Sequence, residues 1–343
     1  MNSPGQVRAV VADSRSNCFD LVRLLAATWV LVAHAYPLTG RTDASFFGYD
    51  KVSKVAVYIF FAASGYLVTQ SWQSDPNLLR FALRRSLRLF PALIVVVVLS
   101  IFVLGPLATE LPLTEYIQQR QTWGYLKTIG LAIRYRLPGV FGQNPGGPAV
   151  NGSLWSLPLE VFMYAFLAGL GLLRLLRTPW TAAIAVAAFA WGVSKSSPSS
   201  DRLELCDLGV YFWMGSLFAQ MRLRFDWRLA LALCSGAALC AVAGQVGLFH
   251  ALNWIALPYA TLTIATFQHP ILGRAGRYGD WSYGIYVYAF PVQQLVVQHI
   301  GTAIPLLVNT LIVMALTLAC ASLSWRLVEQ PALRFKPARP ERG

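Results

Sequence analysis

Apolar stretches long enough to cross a bilayer recur along this chain from one end to the other. A helix rises about 1.5 Å per residue, so a hydrocarbon layer about 30 Å thick needs roughly 20 apolar residues. In lipid every backbone amide must find its partner inside the protein, and a helix does this within one segment. Ten segments meet the description: 19–38, 52–72, 89–108, 153–173, 178–194, 205–221, 229–249, 251–268, 281–300 and 303–325. The seventh and eighth are nearly continuous, which requires a tight turn near Phe249-His250. The composition agrees, with 56% of the 343 residues hydrophobic and 13% charged. That is about half the charged share a soluble domain needs to cover its surface. No Ser/Pro-rich linker divides the chain. The expected fold is an all-α polytopic membrane protein of about ten transmembrane helices. It forms a single domain over 1–343, with a helical core at 19–325 and polar tails at 1–18 and 326–343. The polar run before the first segment leads to no small-residue cleavage site, so that segment reads as a retained helix.

The net charge of +13 points to lipid topology and not to nucleic acid. Lys and Arg collect on cytoplasmic loops and fix orientation. With the N-terminus inside, eighteen of the 28 lysines and arginines fall on the cytoplasmic side, nine on the other, and Arg23 lies within the first segment. Both termini are therefore expected in the cytoplasm. The five cysteines show no CxxC or Cys/His ligand spacing, so they read as packing residues and no metal is expected. The long non-cytoplasmic loop 109–152 holds an amphipathic stretch at Trp123–Arg136 and ends in a turn-rich run, Phe141–Pro148. It reads as a lid or acceptor platform, or as a connector.

Ionisable groups inside a membrane are costly, and each is a functional candidate. Asp20, Arg23 and His34 occupy the first segment. Arg23 and His34 lie eleven residues apart, which places them on one helix face about 16 Å apart along the axis. Arg23 falls near the cytoplasmic end and His34 near the outer end. Asp20 stands three residues before Arg23, where it can offset the buried charge. In the fourth segment, Glu160 lies two turns in from the outer end, at the depth of His34. A carboxylate and an imidazole at matched depth make a general-base pair, the carboxylate orienting the ring. Asn151, Ser153, Trp155 and Ser156 begin the same segment and form an acceptor-binding rim, although Asn151-Gly-Ser153 also matches a glycosylation site. At the entry to the third segment, Arg84, Arg85 and Arg88 form a cytoplasmic basic cluster, with Arg85 and Arg88 presenting one anion-binding face. Small residues in Phe60–Tyr66 permit close helix approach.

These residues together resemble the acyltransferase-3 family of membrane O-acyltransferases. The resemblance runs from about Phe19 to Pro331. It rests on Arg23 and His34 with ten residues between them, Phe60–Gly65, Arg84–Pro91, Ser153–Tyr164, Trp281-Ser-Tyr-Gly-Ile-Tyr286 and Trp325-Arg-Leu-Val-Glu-Gln-Pro331. It implies transfer of an acyl group, usually acetyl, from cytoplasmic acyl-CoA (acetyl-CoA) to a sugar hydroxyl of a cell-surface or exported glycan. The setting it implies is a multi-pass protein of the bacterial inner (plasma) membrane. It further implies that Arg23 and His34 are catalytic or donor-positioning residues and that Arg85 and Arg88 act at the cytoplasmic face. On that reading Arg84, Arg85 and Arg88 bind the CoA phosphates. His34, supported by Glu160, deprotonates the acceptor hydroxyl or carries the acyl group transiently. One departure stands out: many members have a histidine where this chain has Ala289, which bears on the acceptor class more than on the chemistry. The alternative is a multi-pass transporter or flippase of a glycan or lipid-linked substrate, with Arg23, His34 and Glu160 lining a polar path.

Overall fold

The computed structural model describes residues 17–337 apart from positions 44, 48, 49, 199 and 278. The expected polar tails before Asn17 and after Pro337 lie outside the described residues. The apolar segments form helices α1 (Phe19–Leu38), α2 (Val52–Ser74), α3 (Leu78–Leu99), α4 (Leu157–Leu172), α5 (Pro179–Ser194), α6 (Asp201–Met221), α7 (Trp227–Val242), α8 (Val246–Thr266), α9 (Ser282–Ile300) and α10 (Leu306–Ser324). One two-stranded antiparallel pair, Ser45–Phe46 with Asp50–Lys51, joins α1 to α2. Among the described residues, six helical stretches are both long and apolar enough to cross a membrane: Phe19–Leu38, Val52–Ser74, Leu78–Ala108, Gly152–Leu172, Val246–Thr266 and Leu306–Leu333. Helices α5 and α7 are apolar but shorter. Helix α6 opens on charged residues, and α9 carries three glutamines along its length.

The faces of α1 show the membrane pattern directly. Leu25, Trp29, Val32 and Tyr36 are exposed and recur at helical spacing, forming the stripe that lipid covers. Ala26, Ala27, Val30 and Leu31 are buried on the other face, the face that also carries Arg23 and His34.

Several boundaries differ from the sequence reading, each for a local reason. Helix α3 begins at Leu78 and not at 89. The Asn77 side chain accepts the Arg80 backbone N–H at 2.9 Å and caps it. The arginines that depress its hydropathy therefore lie within the helix. The helix continues through a π-turn at Ser100–Leu104 to Ala108. A π-turn leaves a carbonyl without its regular partner, and the buried Tyr116 hydroxyl donates to the Ile101 carbonyl at 2.9 Å. Gly105 makes room for that tyrosine, since a Cβ there would stand 2.0 Å from its hydroxyl. The turn between α7 and α8 falls at Gly244, with φ +71°, and not at Phe249-His250. Phe249 is instead a buried residue of the core between those helices. The last helix does not end at 325, because a π-turn at Trp325–Glu329 carries it on to Leu333, so the first residues of the tail expected at 326–343 are helical. Glu329 is buried there and accepts from the Ser324 hydroxyl at 2.9 Å.

Helices α2 and α6 approach most closely through reciprocal glycines. A Cβ on Gly65 would lie 1.8 Å from the Phe212 carbonyl oxygen, and one on Gly215 would lie 2.1 Å from that of Ala62. A shared Thr69–Ser216 hydroxyl hydrogen bond of 2.7 Å lies along the same seam. Backbone carbonyls cannot move aside as a side-chain end can. Gly65→Ala and Gly215→Ala should each destabilise the protein by about 2 kcal/mol, the usual cost of an overpacked contact, in a reversible unfolding titration in detergent. Wild-type stability in both variants would contradict the close approach.

Candidate active site

Three helices meet at one carboxylate. Asp280, two residues before α9, accepts from Arg23 of α1 at 3.1 Å and, through the same oxygen, from Arg88 of α3. Its second oxygen accepts the Ser282 backbone N–H at 3.2 Å and the Ser282 hydroxyl. Burial opposes the charged form of Asp280, but the Arg23 and Arg88 guanidiniums outweigh it and hold its carboxyl well below the usual range. The sequence reading gave Arg23 to Asp20. The structure gives it to Asp280, 257 residues further on. Asp20 is exposed and lies against Gly276, where a Cβ would meet its carboxylate at 2.1 Å.

Beyond this junction lies a cavity of about 530 Å³. Arg23, Arg88, Glu160, Tyr164, Ser156 and Tyr286 are among the residues that line it. Glu160 accepts from the Tyr164 hydroxyl one turn along α4 and from Ser64 of α2 at 3.4 Å, while Ser64 and Tyr164 share a 2.9 Å hydroxyl contact. Arg85 enters from α3, its guanidinium 5.8 Å from the Tyr164 ring centroid and 6.0 Å from that of Phe81. It feels the charges of Arg88, Arg23 and Glu160, and its Nε is buried without a hydrogen-bond partner. The basic cluster is thus divided. Arg88 lines the cavity, and Arg85 stacks behind it on the ring of Tyr164, a residue of the cavity wall. Arg84 is fully buried, bonded to Asp75 at 2.6 Å and to the Pro337 carbonyl at 3.4 Å, so it is a clamp on the chain and is not free to hold a donor phosphate. Hydrogen bonding from Arg80, opposed by burial and reinforced by Arg84, brings the Asp75 carboxyl down to about 2.

His34 lies at the other end of α1. Its Nδ1 is 2.8 Å from the Val30 carbonyl oxygen, and its ring meets Phe290 of α9 edge-on at 5.5 Å. A carbonyl only accepts, so Nδ1 carries the hydrogen of that bond. In the neutral ring this leaves the lone pair on Nε2. The contacts Arg23–Asp280 and His34–Phe290 are in register, which makes α1 and α9 parallel. Leu89–Tyr283 and Ala108–Gln298 set α3 parallel to them as well. Helix α4 runs the opposite way. A Cβ at Gly152 would touch Phe290 at 2.6 Å, whereas Glu160 shares the cavity with Tyr283. Ala289, the departure noted in the sequence, is buried in one cluster with Ala27 and Leu31 of α1.

The structure does not bring His34 and Glu160 together. Glu160 is engaged with Tyr164 and Ser64, and His34 with Val30 and Phe290. The Asn151–Ser156 run fastens α4 to α9. Asn151 is fully buried and donates to the Val287 carbonyl at 2.8 Å, which puts it out of reach of glycosylation. The Ser153 carbonyl accepts from the Tyr286 hydroxyl, and Ser156 shares a 2.7 Å contact with the same hydroxyl. Trp155 is half-buried against the core. Asp280, Tyr164, Tyr286 and Phe290 are the site residues that sequence reasoning missed. Tyr164 and Tyr286 carried signals, as the ends of two motifs of the resemblance, and Tyr164 also through its i, i+4 spacing from Glu160; Asp280 and Phe290 carried none.

Fold and site define a membrane-embedded protein with a charged cavity and an imidazole along one helix seam. Comparison with known proteins gives the class. The family described as "Acyltransferase domain" matches residues 16–326. An O-acetyl transferase of Shigella phage Sf6 is 30% identical over 331 residues, covering 92% of this chain and 96% of the phage protein. Nodulation protein 10 of Rhizobium leguminosarum bv. viciae is 30% identical over 368 residues, covering 95% of each chain. No solved structure matches. The chain belongs to the acyltransferase-3 family and is an integral-membrane O-acyltransferase, taking an acyl group from a donor to a hydroxyl acceptor.

Removing the shared carboxylate leaves two half-buried guanidiniums with no directly bonded counter-charge, Asp20 acting on them only from further off. Asp280→Asn should lower stability by about 3 kcal/mol, read as a fall in thermal unfolding temperature in detergent. The depressed carboxyl pKa fixes the sign of the pH effect: the contribution is present above the ordinary aspartate range and is lost only in strong acid.

Proposed function

We propose that this enzyme moves an acetyl group from cytoplasmic acyl-CoA to a sugar hydroxyl of a cell-surface or exported glycan on the other side of the bacterial inner membrane. It does so as a single membrane domain whose ten helices all cross the bilayer, with both termini inside. The observation that carries this reading is the parallel seam of α1 and α9. It has the Arg23–Asp280–Arg88 junction at one end, His34 at the other, and the cavity between. The name of the phage relative, an O-acetyl transferase, supports acetyl as the transferred group.

On this reading the donor enters past the junction. Arg23 and Arg88 each give Asp280 part of a guanidinium that carries five N–H donors, so both keep donors for the phosphates and amides of the donor. Arg85, stacked on the Tyr164 ring, supplies a third cation behind the wall. The Glu160–Tyr164–Ser64 group orders the far wall. The Nε2 lone pair of His34 takes the proton of the acceptor hydroxyl. The hydroxyl oxygen then bonds to the thioester carbonyl carbon, the carbon–sulfur bond breaks, and the leaving thiolate takes the proton from the imidazolium. The products are the O-acyl sugar and free CoA. Asn151, Ser153 and Ser156 act by holding α4 against α9 at the acceptor rim, and the half-buried Trp155 is the side chain left to meet the sugar.

Membranes supplied with labelled acetyl-CoA and a glycan acceptor test this. His34→Ala should lose transfer by about a hundredfold or more, as expected for removal of a general base, and Glu160→Ala should also fall well below wild type. Full activity in both variants would sink the proposal.

A further inference from the structure

The long segment between α3 and α4 forms an open basin of about 820 Å³, solvent included, whose lining includes Gln121, Lys127, Arg134, Tyr135 and Arg136. Lys127, Arg134 and Arg136 are exposed to it. None of these three cationic heads takes part in an ion pair or hydrogen bond of the described structure. Their backbones, by contrast, are fixed. Arg134 N–H donates to the buried Thr128 hydroxyl at 3.0 Å, and the Arg136 carbonyl accepts from Gln121 at 3.5 Å. Ala132 N–H closes the turn on the Lys127 carbonyl at 3.2 Å. Three like charges held around one basin with no acid in its lining, Asp201 acting only from beside Tyr135, repel each other, and an anion relieves that repulsion.

The basin has two neighbours that matter. Trp123, exposed beside it, packs edge-on at 6.0 Å against Phe102, an exposed residue of the α3 span. An aromatic ring at that level marks the lipid–water boundary. On the inner side, the Tyr135 carbonyl accepts from Val150 N–H at 2.6 Å, next to Asn151. Tyr135 is also close enough to Tyr286, which lines the first cavity, for the two to interact electrostatically. The basin and the first cavity are therefore neighbours, joined through Tyr135 and the Val150–Asn151 backbone.

We propose that the basin of Lys127, Arg134 and Arg136 binds a phosphoryl anion carried at the membrane surface, of the diphosphate type that links a glycan to a lipid. Three cations, two of them with planar forked donors, suit a multiply charged phosphate better than a single carboxylate. The inference rests on the proposed function in taking this segment to lie on the acceptor side. The same chemistry is offered by an anionic phospholipid headgroup.

The test uses the full-length protein in phosphatidylcholine nanodiscs, with farnesyl diphosphate as the probe. Wild type should bind it, more weakly as salt rises. The triple variant Lys127→Ala, Arg134→Ala, Arg136→Ala should bind about tenfold more weakly or worse, with a flatter salt dependence. The pair Arg134→Lys, Arg136→Lys, which keeps the charge and loses the forked donors, should bind more weakly than wild type but clearly better than the triple variant, and so exclude a folding defect. Displacement of the probe by phosphatidylglycerol in the disc would assign the basin to the headgroup, and resistance to it would assign the basin to the lipid-linked acceptor. Equal binding by wild type and the triple variant, or none by wild type, overturns the proposal. Charge-dependent binding in a protein that transfers no label from acetyl-CoA would leave the basin standing and remove the proposed function instead.

Discussion

One carboxylate between two guanidiniums determines where the working parts of this protein stand. Arg23 and Arg88 come from α1 and α3, and neither is more than a quarter exposed. Left alone, each would cost several kcal/mol in an apolar bundle. Asp280 answers both, and because it stands two residues before α9 and accepts from Ser282 it also sets where that helix begins. The register then propagates outward. Ten residues along α9 from Asp280 and eleven along α1 from Arg23 are each about 15 to 16 Å of rise, so Phe290 arrives beside His34.

The antiparallel α4 completes the arrangement. The short turn leading into it is pinned to α9 through Asn151, Ser153 and Ser156, and this delivers Glu160 and Tyr164 to the cavity one to two turns deeper. The polar groups of the site are therefore not scattered, and they are distinct from a second set where Asp207 of α6 accepts from Tyr58 and Trp254. They follow one line from the Asp280 junction, past Glu160, Tyr164 and Tyr286, to His34. Lipid meets the other faces, as the Leu25, Trp29, Val32 and Tyr36 stripe on α1 shows.

Much of this was legible in the sequence because burial in lipid imposes a length and a composition on each segment. The limits of α1 were read directly, as was the shared face of Arg23 and His34, since helix geometry alone fixes both. The start of α3 was missed because Arg80, Arg84, Arg85 and Arg88 lower the hydropathy of a turn that Asn77 and Asp75 nonetheless hold in place. The Gly244 turn was missed because apolar residues run on past it into α8. The partner of Arg23 was not readable at all. Asp20 was near in sequence, and nothing local distinguishes it from Asp280. Matched depth put Glu160 level with His34, but depth says nothing about azimuth, and Glu160 turns to Tyr164 and Arg85 instead.

The central claim is that donor and acceptor meet from opposite faces along the α1–α9 seam. Sealed, uniformly oriented vesicles test it, with labelled acetyl-CoA confined to the face bearing the Arg84–Asp75 clamp and the glycan acceptor to the other. The account predicts labelled glycan in the acceptor compartment without leakage of acetyl-CoA. Labelled product formed only when both substrates share one compartment would contradict it.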